Sequence, residues 1–350
     1  MKSLREIMAD LVDRVKAVNP IRVAVVGAAQ SAVLETVRAA HSHRRLRAPA
    51  HVPFAVVLCG GGARGLSHVG VLKALEHYGY RPEAIVGVSM GAIVGVSYGL
   101  NPDWYTALLN MDTSDFPDSP SSSREGLGAR MRAVIATERL IRNMLVGWGV
   151  GSRSLAPGKA LLRALTRKRK LEDSRIPLAV VATDLYSGQR VVLTRGNAAD
   201  AAYASSALPG ILPPLAHGEY LLADGAYVDQ APIDVARGFG VKVVIAVDPS
   251  QTSDTRHIRN GLQAMLRGVE ICHLEHTRLR LEGADLVLRP RFPFPIDTLD
   301  FSHKRTGVAA GARAVRAAST ELERLLGAGN LQGRAHGERA VATGSMKVGN

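Results

Sequence analysis

Two short apolar runs, each followed by glycine or serine and then by a helical pattern, constrain the fold of this chain most strongly. The first run is Phe54–Cys59, which leads into Gly60, and the second is Ala84–Val88, which leads into Ser89. Short continuous apolar runs are typical of strands that are buried on both faces. Because a helical pattern follows each run, the sequence predicts an α/β fold with a largely parallel central sheet.

Later apolar segments extend this pattern. They predict strands at Leu178–Thr183, Arg190–Thr194, Tyr220–Ala223 and Val241–Val247. The uncharged stretch Ala84–Leu100 has the length of a minimal membrane span, but it contains four glycines, and Ser89 in a G-x-S-x-G pattern. We therefore interpret it as a strand, a tight turn and a buried helix that begins at Met90.

Composition excludes several classes of protein. Hydrophobic residues make up 46% and charged residues 21% of the 350 residues, as in globular proteins. Two cysteines, Cys59 and Cys272, exclude a disulfide scaffold and favour a reducing, cytoplasmic compartment. Aromatic residues amount to only 5%, which argues against a protein that stacks nucleic-acid bases. The net charge of +13 still requires an explanation.

Ser89 lies in the pattern Gly87-Val-Ser-Met-Gly91, between the second predicted strand and its helix. A sharp strand-to-helix turn exposes a serine hydroxyl, and small flanking residues such as Gly87 and Gly91 relieve the crowding of that turn. The start of the following helix also favours a developing negative charge. The pattern predicts a nucleophilic serine.

The glycine run Gly60-Gly-Gly-Ala-Arg-Gly65 is a second candidate element. It matches a dinucleotide-binding pattern, but the second predicted strand does not end in the acidic residue that would bind a ribose. A phosphate loop is also excluded, since no Lys-Ser/Thr pair follows Gly65. We interpret the run as a loop of exposed N–H groups that forms an oxyanion hole with Gly60, Gly61 and Gly62, of which Gly61 and Gly62 are the strongest candidates.

A serine nucleophile also requires a base. No histidine has a favourable context, and His68 on the first helix is better explained by packing. Asp224 follows a short strand, and Gly225 permits a close turn there. An aspartate that contacts the serine oxygen directly is able to act as the base. Asp184 and Asp248 also follow strands, but we interpret them as turn or capping residues.

Together, Gly60–Gly65, Gly87–Gly91 and Asp224-Gly-Ala226 resemble the motifs of the patatin-like phospholipase family, in the family's order. Further similar segments are Leu66–Glu76, Ala182–Leu185 with Gly188, Ser205–Gly210, Pro213–Pro214 and Val228–Pro232. The resemblance implies a three-layer α/β/α fold, a lipid ester substrate, no metal and no cofactor. It also implies a catalytic pair of Ser89 and Asp224 and an oxyanion hole at Gly60–Gly62. The remaining motif residues are expected to support them: Arg64, Gly65, Gly87, Gly91, Gly225 and Ala226.

Charge is distributed unevenly around this predicted core. Residues 124–175 contain thirteen Lys or Arg and four acidic residues, while residues 1–50 contain nine and four. We predict an N-terminal extension (1–53), a catalytic domain (54–327) with a basic insertion or cap at about 101–175, and a flexible tail (328–350). The basic segment 124–175 fits contact with an anionic membrane, or a helix packed on the core with a solvated basic face. No nucleic-acid partner is expected, and the oligomeric state is left open.

Three alternatives to a lipid acyl hydrolase with a Ser–Asp pair remain at this point. An acyltransferase would use the same acyl-serine with an alcohol in place of water. A Ser–His–Asp α/β-hydrolase would need a histidine such as His257, His273 or His303 close to Ser89. A non-catalytic membrane-binding protein would not need Ser89, Asp224 and the glycine loop together.

Overall fold

An eight-stranded sheet forms the centre of the computed structural model, which describes residues 51–113, 155–251 and 261–327. In chain order the strands are β1 (Phe54–Leu58), β2 (Ala84–Val88), β3 (Leu178–Asp184), β4 (Arg190–Leu193), β5 (Leu215–His217), β6 (Tyr220–Asp224), β7 (Val243–Val247) and β8 (Leu286–Leu288). Hydrogen-bonded pairs connect the strands in the sequence β5-β6-β3-β2-β1-β7-β8, and β4 also pairs with β3. The central strands β3-β2-β1-β7-β8 are parallel, and β4, β5 and β6 add antiparallel pairs on one side. The predicted, largely parallel sheet is confirmed.

Helices cover both faces of this sheet. In chain order they are α1 (Ser67–His77), α2 (Met90–Leu100), α3 (Trp104–Leu109), α4 (Leu155–Leu165), α5 (Ala198–Ser206), α6 (Ile233–Gly238), α7 (Gly261–Leu281), α8 (Lys304–Ala317) and α9 (Ser319–Leu326). Side chains alternate along β1, so Val56 and Leu58 join the core that includes α1 and α2, whereas Ala55 and Val57 join the core that includes α6. The three-layer α/β/α architecture follows from this alternation.

Glycines allow α8 to pack very closely against α1. A Cβ at Gly70 would lie 1.8 Å from the carbonyl oxygen of Val308, and one at Gly311 would lie 1.9 Å from that of Ser67. Any larger residue at either position would force the helices apart. This contact holds α8 beside the start of α1, directly after the glycine loop.

The strands predicted from apolar runs all occur, and their ends lie within about two residues of the predicted ends. Strands β5 and β8 were not predicted. Each has only three residues, which is too short for a periodic pattern to be recognised in the sequence.

The described parts of the predicted insertion pack on the core. Trp104 and Leu108 of α3 and Leu162 of α4 are buried. Arg167 donates to Asp103 at 2.7 Å and to the side-chain oxygen of Asn101 at 3.1 Å. Residues 1–50, 114–154 and 328–350 lie outside the described residues, so the extension, most of the insertion and the tail stay predictions. Of the helices that the structure describes, none has the length and apolar character needed to cross a membrane.

Candidate active site

Ser89 occupies a strained turn between β2 and α2. Its φ of 54° and ψ of −124° lie in a region that residues other than glycine rarely adopt. The two flanking glycines permit the turn, because a Cβ at Gly87 would lie 2.5 Å from Ala92 Cα and one at Gly91 would lie 2.0 Å from the oxygen of Leu58. The Ser89 side chain is thereby held away from the backbone at the end of β2.

Asp224 at the end of β6 lies in direct contact with this serine. Ser89 Oγ donates a hydrogen bond of 2.7 Å to Asp224 Oδ2. The register of β3 explains the contact, because Val181 pairs with Val88 of β2 and the next residue, Ala182, pairs with Asp224 of β6. Strand β4 pairs with Val180–Thr183 of β3 and therefore lies along the opposite edge of β3. Strands β2 and β6 therefore meet end to end along one edge of β3.

The Asp224 carboxylate is buried and held by its neighbours. Its Oδ1 accepts from the N–H of Ala226 at 2.9 Å, and its backbone oxygen accepts from Thr183 Oγ1 at 2.7 Å. A Cβ at Gly225 would lie 2.2 Å from the oxygen of Val181, so only glycine fits this turn. Burial raises the pKa of Asp224 to about 6, although the hydrogen bonds from Ala226 and Ser89 oppose that rise. The carboxylate is thus a stronger proton acceptor than an exposed aspartate.

Ser205 of α5 was not singled out as a functional residue by the sequence. Its Oγ accepts from the N–H of Ser89 at 2.9 Å and donates to the oxygen of Val181 at 2.5 Å. Ser205 is fully buried, so both hydrogen bonds are shielded from water. The segment Ser205–Gly210 carried a family resemblance, but nothing in it indicated a contact with the strained turn.

The glycine loop lies against the same serine. A Cβ at Gly60 would lie 3.6 Å from the Cβ of Ser89, and the oxygen of Gly60 accepts from Gln230 Nε2 at 3.1 Å. Within the described part of the chain, no hydrogen bond uses the N–H of Gly60, Gly61 or Gly62. Their neighbours are engaged, since the N–H of Cys59 donates to Val247 and that of Ala63 donates to Thr298. The loop that contacts Ser89 through Gly60 therefore contains unused N–H groups.

Arg64 and Gly65 hold this loop in place. A Cβ at Gly65 would lie 2.7 Å from that of Met90, so glycine allows the loop to approach the start of α2. Arg64 is half-buried and donates to Thr298 Oγ1 at 3.4 Å. Burial lowers the pKa of Arg64, while the charges of Glu270 and Asp297 act in the opposite direction. These contacts join the loop to the segment before α8.

Among the described residues, no histidine forms a hydrogen bond with Ser89 or Asp224. His68 Nε2 is 2.8 Å from the oxygen of Cys59, and burial lowers the pKa of His68 to about 4. His257 lies outside the described residues. The carboxylate of Asp184 accepts hydrogen bonds from the N–H groups of Tyr186 and Ser187 in the turn that follows it, as expected for a turn residue. In the same described ranges, no cluster of His, Cys, Asp or Glu is arranged to hold a metal ion.

The sequence around these residues matches a known protein family. The family model described as patatin-like phospholipase matches residues 56–237, which include Ser89 and Asp224. This chain belongs to the patatin-like phospholipase family. The prediction of that family from the three motifs is confirmed.

Several curated relatives share this region. Patatin-like phospholipase domain-containing protein 6 of Homo sapiens is 34% identical over 207 residues, which is 58% of this chain and 14% of that protein. Lysophospholipase NTE1 of Cryptococcus neoformans is 31% identical over 200 residues, which is 57% of this chain and 11% of that protein. The chain thus spans a small part of these relatives. The solved structure of VipD from Legionella pneumophila is 14% identical, with a TM-score of 0.42, and the match covers 77% of this chain and 67% of that one.

Proposed function

We propose that this chain is a lipid acyl-ester hydrolase in which Ser89 is the nucleophile and Asp224 is its base. The observation that carries the proposal is the 2.7 Å hydrogen bond from Ser89 Oγ to Asp224 Oδ2, beside the unused N–H groups of the glycine loop. A lipid ester is the substrate class that fits membership of the patatin-like phospholipase family and a relative named as a lysophospholipase.

In the acylation step, Ser89 Oγ attacks the ester carbonyl while Asp224 accepts the hydroxyl proton. The carbonyl oxygen becomes negatively charged and is stabilised by N–H groups of Gly60–Gly62 and by the start of α2. Collapse of this intermediate breaks the bond to the alcohol, which leaves with the proton from Asp224. The product is an acyl ester on Ser89.

In the deacylation step, water attacks the acyl ester and Asp224 accepts its proton. The same N–H groups stabilise the second intermediate, and the fatty acid leaves as Ser89 regains its proton. An alcohol in place of water would give acyl transfer from the same acyl-serine. Product analysis with and without an added alcohol acceptor distinguishes the two outcomes.

The test is hydrolysis of phospholipid, lysophospholipid and triacylglycerol by the full chain and two variants. Ser89→Ala and Asp224→Asn should each lose at least about 1,000-fold in kcat, because neither can carry out the first step. Asp184→Asn is the matched control, since Asp184 is also a buried aspartate at a strand end but does not contact Ser89. A fluorophosphonate probe should label the wild type and not Ser89→Ala. Full activity in either active-site variant would overturn the proposal.

A further inference from the structure

A groove of about 730 Å³ lies between α8 and the segment that follows β8. One wall carries Arg291, Phe292 and Pro293, and the other carries Arg305, Thr306 and Arg313. Arg305 and Arg313 project from the same side of α8, because they are separated by eight residues, or about two turns. Three arginines thus line one shallow, open groove.

These arginines differ from many others in the described structure in having no carboxylate partner there. Arg289, two residues before the groove, forms an ion pair with Asp248, and Arg237 forms one with Asp285. For Arg291, Arg305 and Arg313, no ion pair with a described residue occurs, and Arg313 contacts only the backbone oxygen of Arg291, at 3.5 Å. Guanidinium groups bind phosphate oxygens in a bidentate manner, so such a cluster matches a phosphate-bearing ligand.

Apolar side chains around the arginines indicate that this ligand belongs to a lipid surface. Phe292 packs partly against the core and forms an apolar part of the lining. Phe294 follows the groove residue Pro293 in the chain, is 41% exposed, and packs against the ring of His303 with 4.7 Å between the ring centroids. An exposed aromatic ring one residue from a surface lined by arginines is typical of proteins that lie at a membrane interface, whereas a soluble anion needs no such ring.

The groove also lies close to the proposed oxyanion loop. Gly307, which follows Thr306, is close enough to α1 that a Cβ there would lie 3.6 Å from the N of Ser67. The backbone oxygen of Thr298 accepts a hydrogen bond from the N–H of Ala63, next to the glycine loop. Thr298 follows the groove residue Pro293 by five residues, a stretch of chain that spans at most about 18 Å. A surface bound at the groove therefore lies near the glycine loop.

We infer that this groove binds the phosphate-bearing head group of an anionic phospholipid and so holds the protein on an anionic membrane. The biological role of this contact rests on the proposed lipid hydrolysis, but binding itself does not require turnover. None of the residues that line the groove belongs to the basic segment 124–175.

The experiment is co-sedimentation of the full chain carrying Ser89→Ala with vesicles of phosphatidylcholine, with or without phosphatidylglycerol. Adding Arg305→Gln and Arg313→Gln should weaken binding to the anionic vesicles by on the order of 10- to 30-fold. The matched control adds Arg81→Gln and Arg195→Gln, which remove the same charge from exposed positions outside the groove. This control should change binding less than threefold. Equal losses in both double variants, or no loss in the groove variant, would overturn the inference.

A second set of measurements distinguishes a membrane lipid from a soluble anion as the ligand of the groove. Phe294→Ser should weaken vesicle binding, and 10 mM inorganic phosphate at constant ionic strength should not displace the vesicles. Displacement by phosphate, with no effect of Phe294→Ser, would show a soluble-anion site and overturn the lipid assignment. Circular dichroism melting verifies that each variant is folded. Hydrolysis of a soluble short-chain ester by the groove variant with Ser89 intact tests the catalytic proposal separately, so failure of one proposal is distinguishable from failure of the other.

Discussion

Ser205 lies directly behind the strained turn of Ser89, where its Oγ accepts a 2.9 Å hydrogen bond from the Ser89 N–H, although 116 positions separate the two residues. The same Oγ donates to Val181 of β3, the residue that pairs with Val88. A single buried hydroxyl thus links the turn, the sheet and α5. It satisfies a backbone donor that the turn would otherwise leave unpaired.

We predict that Ser205→Ala lowers kcat at least about tenfold and changes KM little, because Ser89 loses its support and not its contact with substrate. The labelling rate with a fluorophosphonate probe should fall in parallel. Ser206→Ala is the matched control, since the Ser206 hydroxyl donates within α5, to the backbone oxygens of Ala202 and Tyr203. Similar kcat losses in both variants would indicate a general effect on α5 and contradict a positioning role for Ser205.

The pKa of Asp224 leads to a prediction for the pH dependence of hydrolysis. A protonated carboxyl group cannot accept the proton of Ser89, so kcat/KM should fall tenfold per pH unit below about 6 and be level above it. The measurement uses an uncharged ester, so that the substrate does not titrate. An acid limb near pH 4 would show that Asp224 titrates like an exposed aspartate and would contradict the effect of burial.

The same pKa predicts that Asp224→Asn stabilises the fold at neutral pH. Between the ordinary value of 3.8 and the folded value of about 6, the native state keeps a proton that the unfolded state has released. The contribution of this group to stability is therefore present below pH 3.8 and is lost as the pH rises through 6. The free energy of unfolding of the variant should exceed that of the wild type by up to about 3 kcal/mol at pH 8. Urea unfolding measures it, and a difference that is the same at pH 4 and pH 8 would contradict the prediction.

Gly62 provides a test of the glycine loop. Its φ is +53°, and a Cβ at this position would lie 2.2 Å from the oxygen of Thr298, the acceptor of the Ala63 N–H. Gly62→Ala should therefore displace the loop and reduce kcat by about 100-fold or more, the usual effect of losing an oxyanion donor. Gly188→Ala is the control, because Gly188 also has a positive φ, of +69°, but has open space around it. That variant should lose about 1 to 2 kcal/mol of stability and keep its activity. Equal activity losses would point to backbone strain and not to the loop.

Local patterns in the sequence were sufficient to predict the parts of the site that lie within one strand-turn-helix unit. The turn at Ser89 depends on Gly87 and Gly91, and all three are within five residues of one another. The short strand before Asp224 was also evident from its apolar run. Strands β5 and β8 were missed because three-residue strands form only where neighbouring strands supply hydrogen-bond partners.

The sequence by itself determined the α/β class and the family, and it indicated Ser89, Asp224 and the glycine loop as candidate site residues, because each depends on residue types at short spacing. Only the tertiary structure decided which groups meet. The register of β3 sets Asp224 beside Ser89, α5 places Ser205 behind it, and α8 brings Arg305 and Arg313 opposite Arg291. Contacts between distant segments depend on strand register and helix packing, which no local pattern of residues encodes.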